Sequence, residues 1–237
     1  MSSSGLSPKR WLHDKRLMSD CSALVGVDEV GRGCLAGPVV ASAVVLRLDF
    51  FRSHKRREVC LEIRDSKQIA PDRREALVEL IREWRELGLL GFAIAEGSIA
   101  EIERLNILGA NTLAMQRALS VIVPEDVDWE APDAPRILVD GKPVKRLGYP
   151  HEAIVKGDDV SLAIAMASVL AKVYRDRLMV HADKVFPAYG FCDNKGYGTI
   201  RHREALLERG PCQLHRPSFL QKILDEPASK LQTELPF

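Results

Sequence analysis

The sequence predicts an α/β domain, a mixed β-sheet covered by helices, and three observations carry that prediction. Apolar runs rich in Val, Leu and Ile and punctuated by Gly and Pro (Leu24–Val27, Val39–Leu46, Leu89–Ala95) read as three successive strands. Two further short runs, Arg136–Val139 and Ala153–Val155, are interleaved with helical patterns, as in sheets that carry helices on their faces. The stretch from about Val160 to His181 is apolar nearly all round in its first half, Leu162–Ala171, which marks a helix buried against the sheet.

Residues 1–20 are polar and basic and read as a flexible arm or a peripheral helix. The first two strands are joined by Gly31-Arg32-Gly33 and Gly37-Pro38, and residues 49–64 form a charged connection after them. Pro71-Asp72 opens a helix whose Leu77, Leu80, Ile81, Trp84 and Leu87 follow the helical period, and Gly88 stops it. After the third strand, Ser98 and Glu101 form a capping box that starts a short helix. A second helix runs from Leu108 to Val123 and ends at Pro124. An acidic, proline-rich loop leads to the fourth strand, which closes on Asp140-Gly141, and the fifth strand ends on the turn Lys156–Asp159. Beyond Pro187 come a glycine-rich loop to Gly198, a helix over Ile200–Arg209 and a short helix around Phe219–Leu224. With no repeat and no linker, residues 21–226 read as one domain and 227–237 as a flexible tail.

A chain of 237 residues with 46% hydrophobic and 28% charged residues can bury a substantial core. Its net charge of +1 sets up no global field for nucleic acid, so any binding face must be a local patch. Five cysteines without Cys-x-x-Cys spacing argue against a disulfide framework or structural zinc and favour a reducing compartment. The N-terminus lacks the apolar core of a signal peptide, and no run is long enough to span a membrane. The expectation is a soluble, cytoplasmic monomer.

Three strand ends carry acids: Asp28-Glu29, Asp140 and Asp158. Asp140 could serve only a turn, and Asp158 or Asp159 only as a helix cap. Together they form a crowded anionic site that calls for a cation. Oxygen ligands without histidine or cysteine select Mg²⁺ or Mn²⁺ over zinc. Side chains alternate along a strand, so Asp28 and Glu29 cannot both reach one ion unless the chain bends at Val30-Gly31 or one of them uses its main-chain carbonyl.

The run Asp28-Glu29-Val30-Gly31-Arg32-Gly33 resembles the Asp-Glu-x-Gly-Arg-Gly signature of ribonuclease HII, the type 2 ribonuclease H. The resemblance continues through Asp65-Ser66-Lys67, Asn106-Ile107-Leu108, Val139-Asp140-Gly141, Val155–Asp158, Ala167–Val173, Arg175-Asp176, Lys195-Gly196-Tyr197 and His215–Phe219, in the family's order. Gln68 departs from it, standing where many relatives have a second lysine. The sister type, ribonuclease HIII, has a different pattern in place of Gly-Arg-Gly.

The resemblance implies an RNase H-like fold with a five-stranded mixed sheet flanked by helices. It implies endonucleolytic cleavage of RNA in RNA–DNA hybrids and 5′ of ribonucleotides embedded in DNA, leaving 3′-hydroxyl and 5′-phosphate ends. Asp28, Glu29, Asp140 and Asp158 would hold two divalent ions, Mg²⁺ or Mn²⁺, with Asp28 bridging them. Gly31, Arg32 and Gly33 would read the 2′-hydroxyl, and Tyr197 would pack on the sugar that follows the ribonucleotide. Lys67, Lys172, Arg216 and Ser168 are candidate phosphate contacts, although Lys172 could equally snorkel to solvent and Ser168 merely pack. A binding module that keeps the fold without catalysis is the competing class, and the intact acid set argues against it.

The tail ends Gln232-Thr233-Glu234-Leu235-Pro236-Phe237, which resembles the short peptides by which bacterial replication and repair proteins bind the sliding clamp. Gln232 would make the polar contact while Leu235 and Phe237 dock in an apolar groove. The alternative is that the two apolar residues fold back onto the domain.

Overall fold

The computed structural model describes residues 7–224. Its sheet has five strands: β1 (Leu24–Val30), β2 (Val39–Leu46), β3 (Leu90–Gly97), β4 (Arg136–Asp140) and β5 (Glu152–Ile154), in the order β3-β2-β1-β4-β5. β1, β2 and β3 pair antiparallel, and β4 and β5 run parallel to β1, so the sheet is mixed as expected. Val27 stands opposite Val139 in the parallel register, which brings Asp28 and Asp140 side by side one step further on.

Both faces of the sheet are covered. Leu24, Val44, Leu46 and Leu138 pack against α6 (Leu162–Val185) and α3 (Pro71–Glu86). The opposite face, with Val25, Val27, Ala43 and Val139, packs against Met115 and Leu119 of α4 (Ile99–Ile122). α6 lies so close to β1 that a Cβ on Gly26 would stand 2.2 Å from the backbone carbon of Ala163. Glycine at this position is what lets the buried helix ride on the central strand.

The two helices expected around residues 98–123 are one run broken at Asn106, whose φ is 58°. The Asn106 side chain accepts from the amides of Leu108 (2.9 Å) and Gly109 (3.2 Å), so it caps the second half as an N-cap does. α6 begins later than expected, because the single turn α5 (Gly157–Val160) precedes it and Ser161 caps it through the Ile164 amide. It also runs on to Val185, where Pro187 prevents continuation.

Residues 49–64, expected as a charged connection, contain a short 3₁₀ turn that buries Phe50 and Phe51 and then α2 (His54–Cys60).

Of the two readings of residues 1–20, a flexible arm or a peripheral helix, the part described from residue 7 onward takes the helix. Within that stretch α1 (Lys9–Leu17) docks on the domain, with Trp11 packed against Phe50 and Phe51 and with Asp14 buried. Asp14 accepts from the Ala163 amide (2.9 Å) and the Ser161 hydroxyl (3.1 Å), which ties α1 to the start of α6. An aromatic anchor and a capped helix end hold this segment in place. The remaining elements are α7 (Phe191–Asn194), α8 (Ile200–Arg209) and α9 (Pro217–Leu224). Among the described residues no helix is long and apolar enough to cross a membrane. The tail positions Gln232, Leu235 and Phe237 lie outside the described residues.

Candidate active site

The acids gather at the C-terminal ends of the two central parallel strands, where β1 and β4 deliver Asp28 and Asp140 from adjacent positions. Asp158 enters from α5, just after Lys156, whose φ of 56° turns the chain into the site. Asp28 is 7% exposed, and burial pushes its carboxyl well above the usual carboxylate range, with the charges of Glu29 and Asp140 adding to the effect. A hydrogen bond from Ser168 opposes the shift. The Asp158 carboxyl is also raised, by burial first and then by Asp140, Asp65 and Asp159. Asp140 is therefore the charge that links the other two.

Glu29 points the other way. β1 stays paired to β2 through Val30, so the strand does not bend between the two acids and their side chains leave on opposite faces. Of the two routes expected for the pair, the main-chain carbonyl is the one that regular pairing leaves open. Asp28 lies on the α6 side near Ser168, and Glu29 accepts a bond from Arg32 at 2.9 Å. Asp140 Oδ1 accepts from the Gly157 amide at 2.6 Å. In this arrangement, among the described residues, no three His, Cys, Asp or Glu side chains close into a finished cage. The donor set still fits a hard cation, being all carboxylate oxygen around a buried acid whose proton affinity is raised by its neighbours.

Gly31 has a φ of 92°, and a Cβ there would meet Arg175 Nε at 2.2 Å. Gly33 is different, since a Cβ on it would meet nothing within 4 Å. Arg32 is exposed between them. The loop is held from below by two arginines. Arg175 is fully buried and donates to the carbonyls of Ala36, Pro38 and Lys195. Arg216, expected as a phosphate contact, is also fully buried and donates to the carbonyls of Gly31, Arg32 and Gly37. That corrects the expectation: fully buried, with each guanidinium nitrogen bonded to a carbonyl of the loop that carries the Gly-Arg-Gly run, it is out of reach of a phosphate. Lys172 is paired with Asp176 at 2.8 Å, whereas Lys67 is exposed. Ser168 shares a buried hydrogen bond with Ser66 at 3.0 Å. Tyr197 is 37% exposed at the rim.

Glu29, Arg32 and Asp140 open into a groove of about 1160 Å³ that runs between α4 and the loop after β4, with Lys142, Lys145 and Arg146 along its far wall. Asn111 lines the same groove, is 5% exposed, and its side-chain oxygen finds no partner among the described residues. Sequence reasoning passed over Asn111 and the structural part of Arg175. For Arg175 a signal existed: it lies seven residues after Ser168, on the buried face of the same helix.

Comparison with solved structures defines the class first. A ribonuclease HII from Archaeoglobus fulgidus, solved in a complex with PCNA, superposes with a TM-score of 0.65 at 23% identity, covering 87% of this chain and 99% of that one. Bst-RNase HIII in complex with Mn²⁺ superposes with a TM-score of 0.58 at 24% identity, covering 80% of this chain and 64% of that one. The fold is thus the RNase H-like fold, with acids at the strand ends. The family model for ribonuclease HII matches residues 25–222. Ribonuclease HII of Pseudothermotoga lettingae is 43% identical over 207 residues, 87% of this chain and 81% of that protein. That of Alkaliphilus metalliredigens is 42% identical over 203 residues, 85% of this chain and 92% of that protein. The chain belongs to the ribonuclease HII family, and is a metal-dependent hydrolase of the ribonuclease H type.

Proposed function

We propose that this endoribonuclease cleaves the RNA strand of RNA–DNA hybrids and nicks duplex DNA 5′ of embedded ribonucleotides, with two divalent ions, Mg²⁺ or Mn²⁺, bound by Asp28, Glu29, Asp140 and Asp158. The observation that carries the reading is the convergence of Asp28, Asp140 and Asp158 at the ends of adjacent strands and the turn beside them, around an acid that is almost fully buried. Such a site is unfavourable on its own and favourable around positive charge. When bound, the ions supply an activated water and stabilise the leaving 3′ oxygen.

The chain's own residues bind and orient the substrate. The groove beside Glu29 and Asp140 carries Arg32, Lys142, Lys145 and Arg146, which suit a sugar–phosphate backbone. Asn111 offers that backbone a buried, unpartnered oxygen, which suits a 2′-hydroxyl donor. Gly31 and Gly33 keep the first loop narrow enough for main-chain contact with the ribose, and Tyr197 takes the following sugar. Lys67 and Lys172 are the cations left to meet phosphates on the side of Ser168. We further assign the tail residues Gln232, Leu235 and Phe237 to docking on a replication sliding clamp, for an enzyme that acts as a cytoplasmic monomer.

The test is nicking of a duplex carrying one ribonucleotide, with Mg²⁺, with Mn²⁺ and with chelator. Metal-dependent incision 5′ of the ribonucleotide, leaving 3′-hydroxyl and 5′-phosphate ends, is expected. Cleavage that survives chelation, or that leaves a cyclic phosphate, overturns the reading.

A further inference from the structure

Two buried histidines lie outside the acidic site and face each other. His202 of α8 is fully buried and His215, in the loop before α9, is 3% exposed, with their Nε2 atoms 3.0 Å apart. The shorter of the surrounding hydrogen bonds set the arrangement of protons. The Cys212 amide donates to His215 Nδ1 at 3.0 Å, closer than the Cys212 carbonyl at 3.3 Å, so that nitrogen is bare and Nε2 carries the hydrogen. His215 Nε2–H then donates to His202 Nε2. His202 must carry its hydrogen on Nδ1, which donates to the Tyr197 carbonyl at 2.8 Å. The result is a directed chain from the Cys212 amide through both imidazoles to the backbone of Tyr197.

The far end of the chain reaches the other side of the site. His215 forms an isolated antiparallel bridge with Ala36, and the next residue, Arg216, grips the Gly31 and Arg32 carbonyls. The backbones of Leu35 and Ala36 also donate to Gly196, beside Tyr197. We propose that the His202–His215 pair is a positioning link that sets Tyr197 against the Gly31–Gly33 loop, and that it holds only while both imidazoles are neutral. The inference rests on the reading of Tyr197 given above as the residue that takes the sugar after the ribonucleotide.

Protonation of either ring breaks the directed chain. A proton on His202 Nε2 would face the His215 N–H with no acceptor between them, and a proton on His215 Nδ1 would end the bond from the Cys212 amide and turn instead to the Cys212 carbonyl at 3.3 Å. Among the described residues, the titratable and charged groups around the pair offer no compensating carboxylate. They are Tyr189 from the turn before α7, Tyr197, Arg203 of α8, Cys212, and Arg216 at the start of α9. Burial lowers the His202 pKa, and burial together with His202 lowers that of His215 to about 4. Both folded values lie below the ordinary 6.5, so the link is fully present above that value and is lost as pH falls through the folded ones.

The experiment compares kcat/KM on a duplex with one embedded ribonucleotide and on a uniform RNA–DNA hybrid. Taking the ratio cancels any loss of metal ligation, which both substrates share. In the unmodified protein the ratio should stay level above about pH 6.5 and fall as pH drops toward about 4. His202→Phe, which breaks both bonds, should lower the ratio about fivefold to tenfold at neutral pH and flatten its pH dependence. His202→Asn keeps a donor near the Tyr197 carbonyl and should restore part of it. ¹⁵N NMR of the unmodified protein should show His202 as the Nδ1–H tautomer and His215 as the Nε2–H tautomer, a result that does not depend on Tyr197. A ratio independent of pH and unchanged in both variants, or tautomers other than these, overturns the link. If Tyr197→Ala itself leaves the ratio unchanged while the tautomers are as stated, the reading of Tyr197 has failed and the link loses its purpose.

Discussion

Arg175 Nε occupies the space that a side chain on Gly31 would need: a Cβ there would stand 2.2 Å from it. The guanidinium cannot withdraw, because it holds the carbonyls of Ala36, Pro38 and Lys195 inside the protein. Gly31 also has a φ of 92°, where a side chain is strained even in open space. Gly31→Ala is therefore expected to lose about 1–3 kcal/mol of unfolding free energy in urea, with cleavage falling as the loop shifts. Gly33→Ala is the control, since its Cβ meets nothing in the protein. It should keep its stability within about 0.5 kcal/mol and lose cleavage, because only the substrate comes near. Equal stability loss in both variants would refute the distinction.

These two glycines show where the sequence is legible and where it stops. Asp28, Glu29 and the Gly-Arg-Gly run are contiguous, so their spacing announces a site, and the alternation of apolar runs announces the sheet around it. Which glycine is structural depends on Arg175, a residue from a helix far along the chain. Arg216 misled for the same reason. An arginine beside a histidine in a loop reads as surface, and only the fold shows three loop carbonyls closing around it. The docking of α1 was also hidden, because Asp14 finds the Ala163 amide 149 residues later. Asn106 was legible in effect, since the predicted break between two helices lies at its positive φ.

The buried acid sets a pH-dependent prediction. The Asp28 carboxyl is raised above its ordinary 3.8 by burial, then by Glu29 and Asp140, so its ionised form weakens the metal-free fold. The sign follows from linkage: below 3.8 the acid is protonated in both folded and unfolded chains and nothing is lost, and the penalty builds as pH rises from 3.8 and is complete above the folded value. In chelator, Asp28→Asn should be more stable than the unmodified protein at neutral pH, with the advantage vanishing in acid. Saturating Mn²⁺ should reverse the order, and cleavage by the variant should drop to background. Urea titrations across pH, with and without Mn²⁺, measure this. A variant that is less stable in chelator at neutral pH would contradict it.

α1 reaches the acidic site through one side chain. Arg10 donates to the Asp158 carbonyl at 2.6 Å and to the Asp159 carboxylate at 3.0 Å. The bond to exposed Asp159 contributes little on its own. The bond to the Asp158 main chain is half-buried and holds the turn from which that acid projects. Arg10→Ala should cost about 1–2 kcal/mol of stability and raise the Mn²⁺ concentration needed for half-maximal cleavage severalfold. Asp159→Asn leaves the carbonyl contact in place and should change the metal requirement little. An unchanged requirement in Arg10→Ala would show that α1 serves stability alone.

The last prediction concerns residues 232–237. Their sequence, Gln-Thr-Glu-Leu-Pro-Phe, places two large apolar side chains after a polar stretch with nothing to build a core. Leu235 and Phe237 could cover a patch of the domain, or could be held for an apolar groove on a partner, with Gln232 supplying the polar contact. The resemblance of this run to the short clamp-binding peptides of bacterial replication and repair proteins is what favours a partner. Ordering a short peptide takes up much of the gross interaction energy, so affinity should be modest, in the micromolar range of about 1–100 μM. Modest affinity is enough, since tethering raises the local concentration of the enzyme on newly copied DNA. Full-length protein should bind the bacterial sliding clamp in calorimetry, a chain ending at Leu231 should not, and nicking of free duplex should be the same for both. Equal binding by the two chains, or binding by neither, would end the assignment, and a lower unfolding midpoint of the shortened chain without clamp would show instead that the tail packs on the domain.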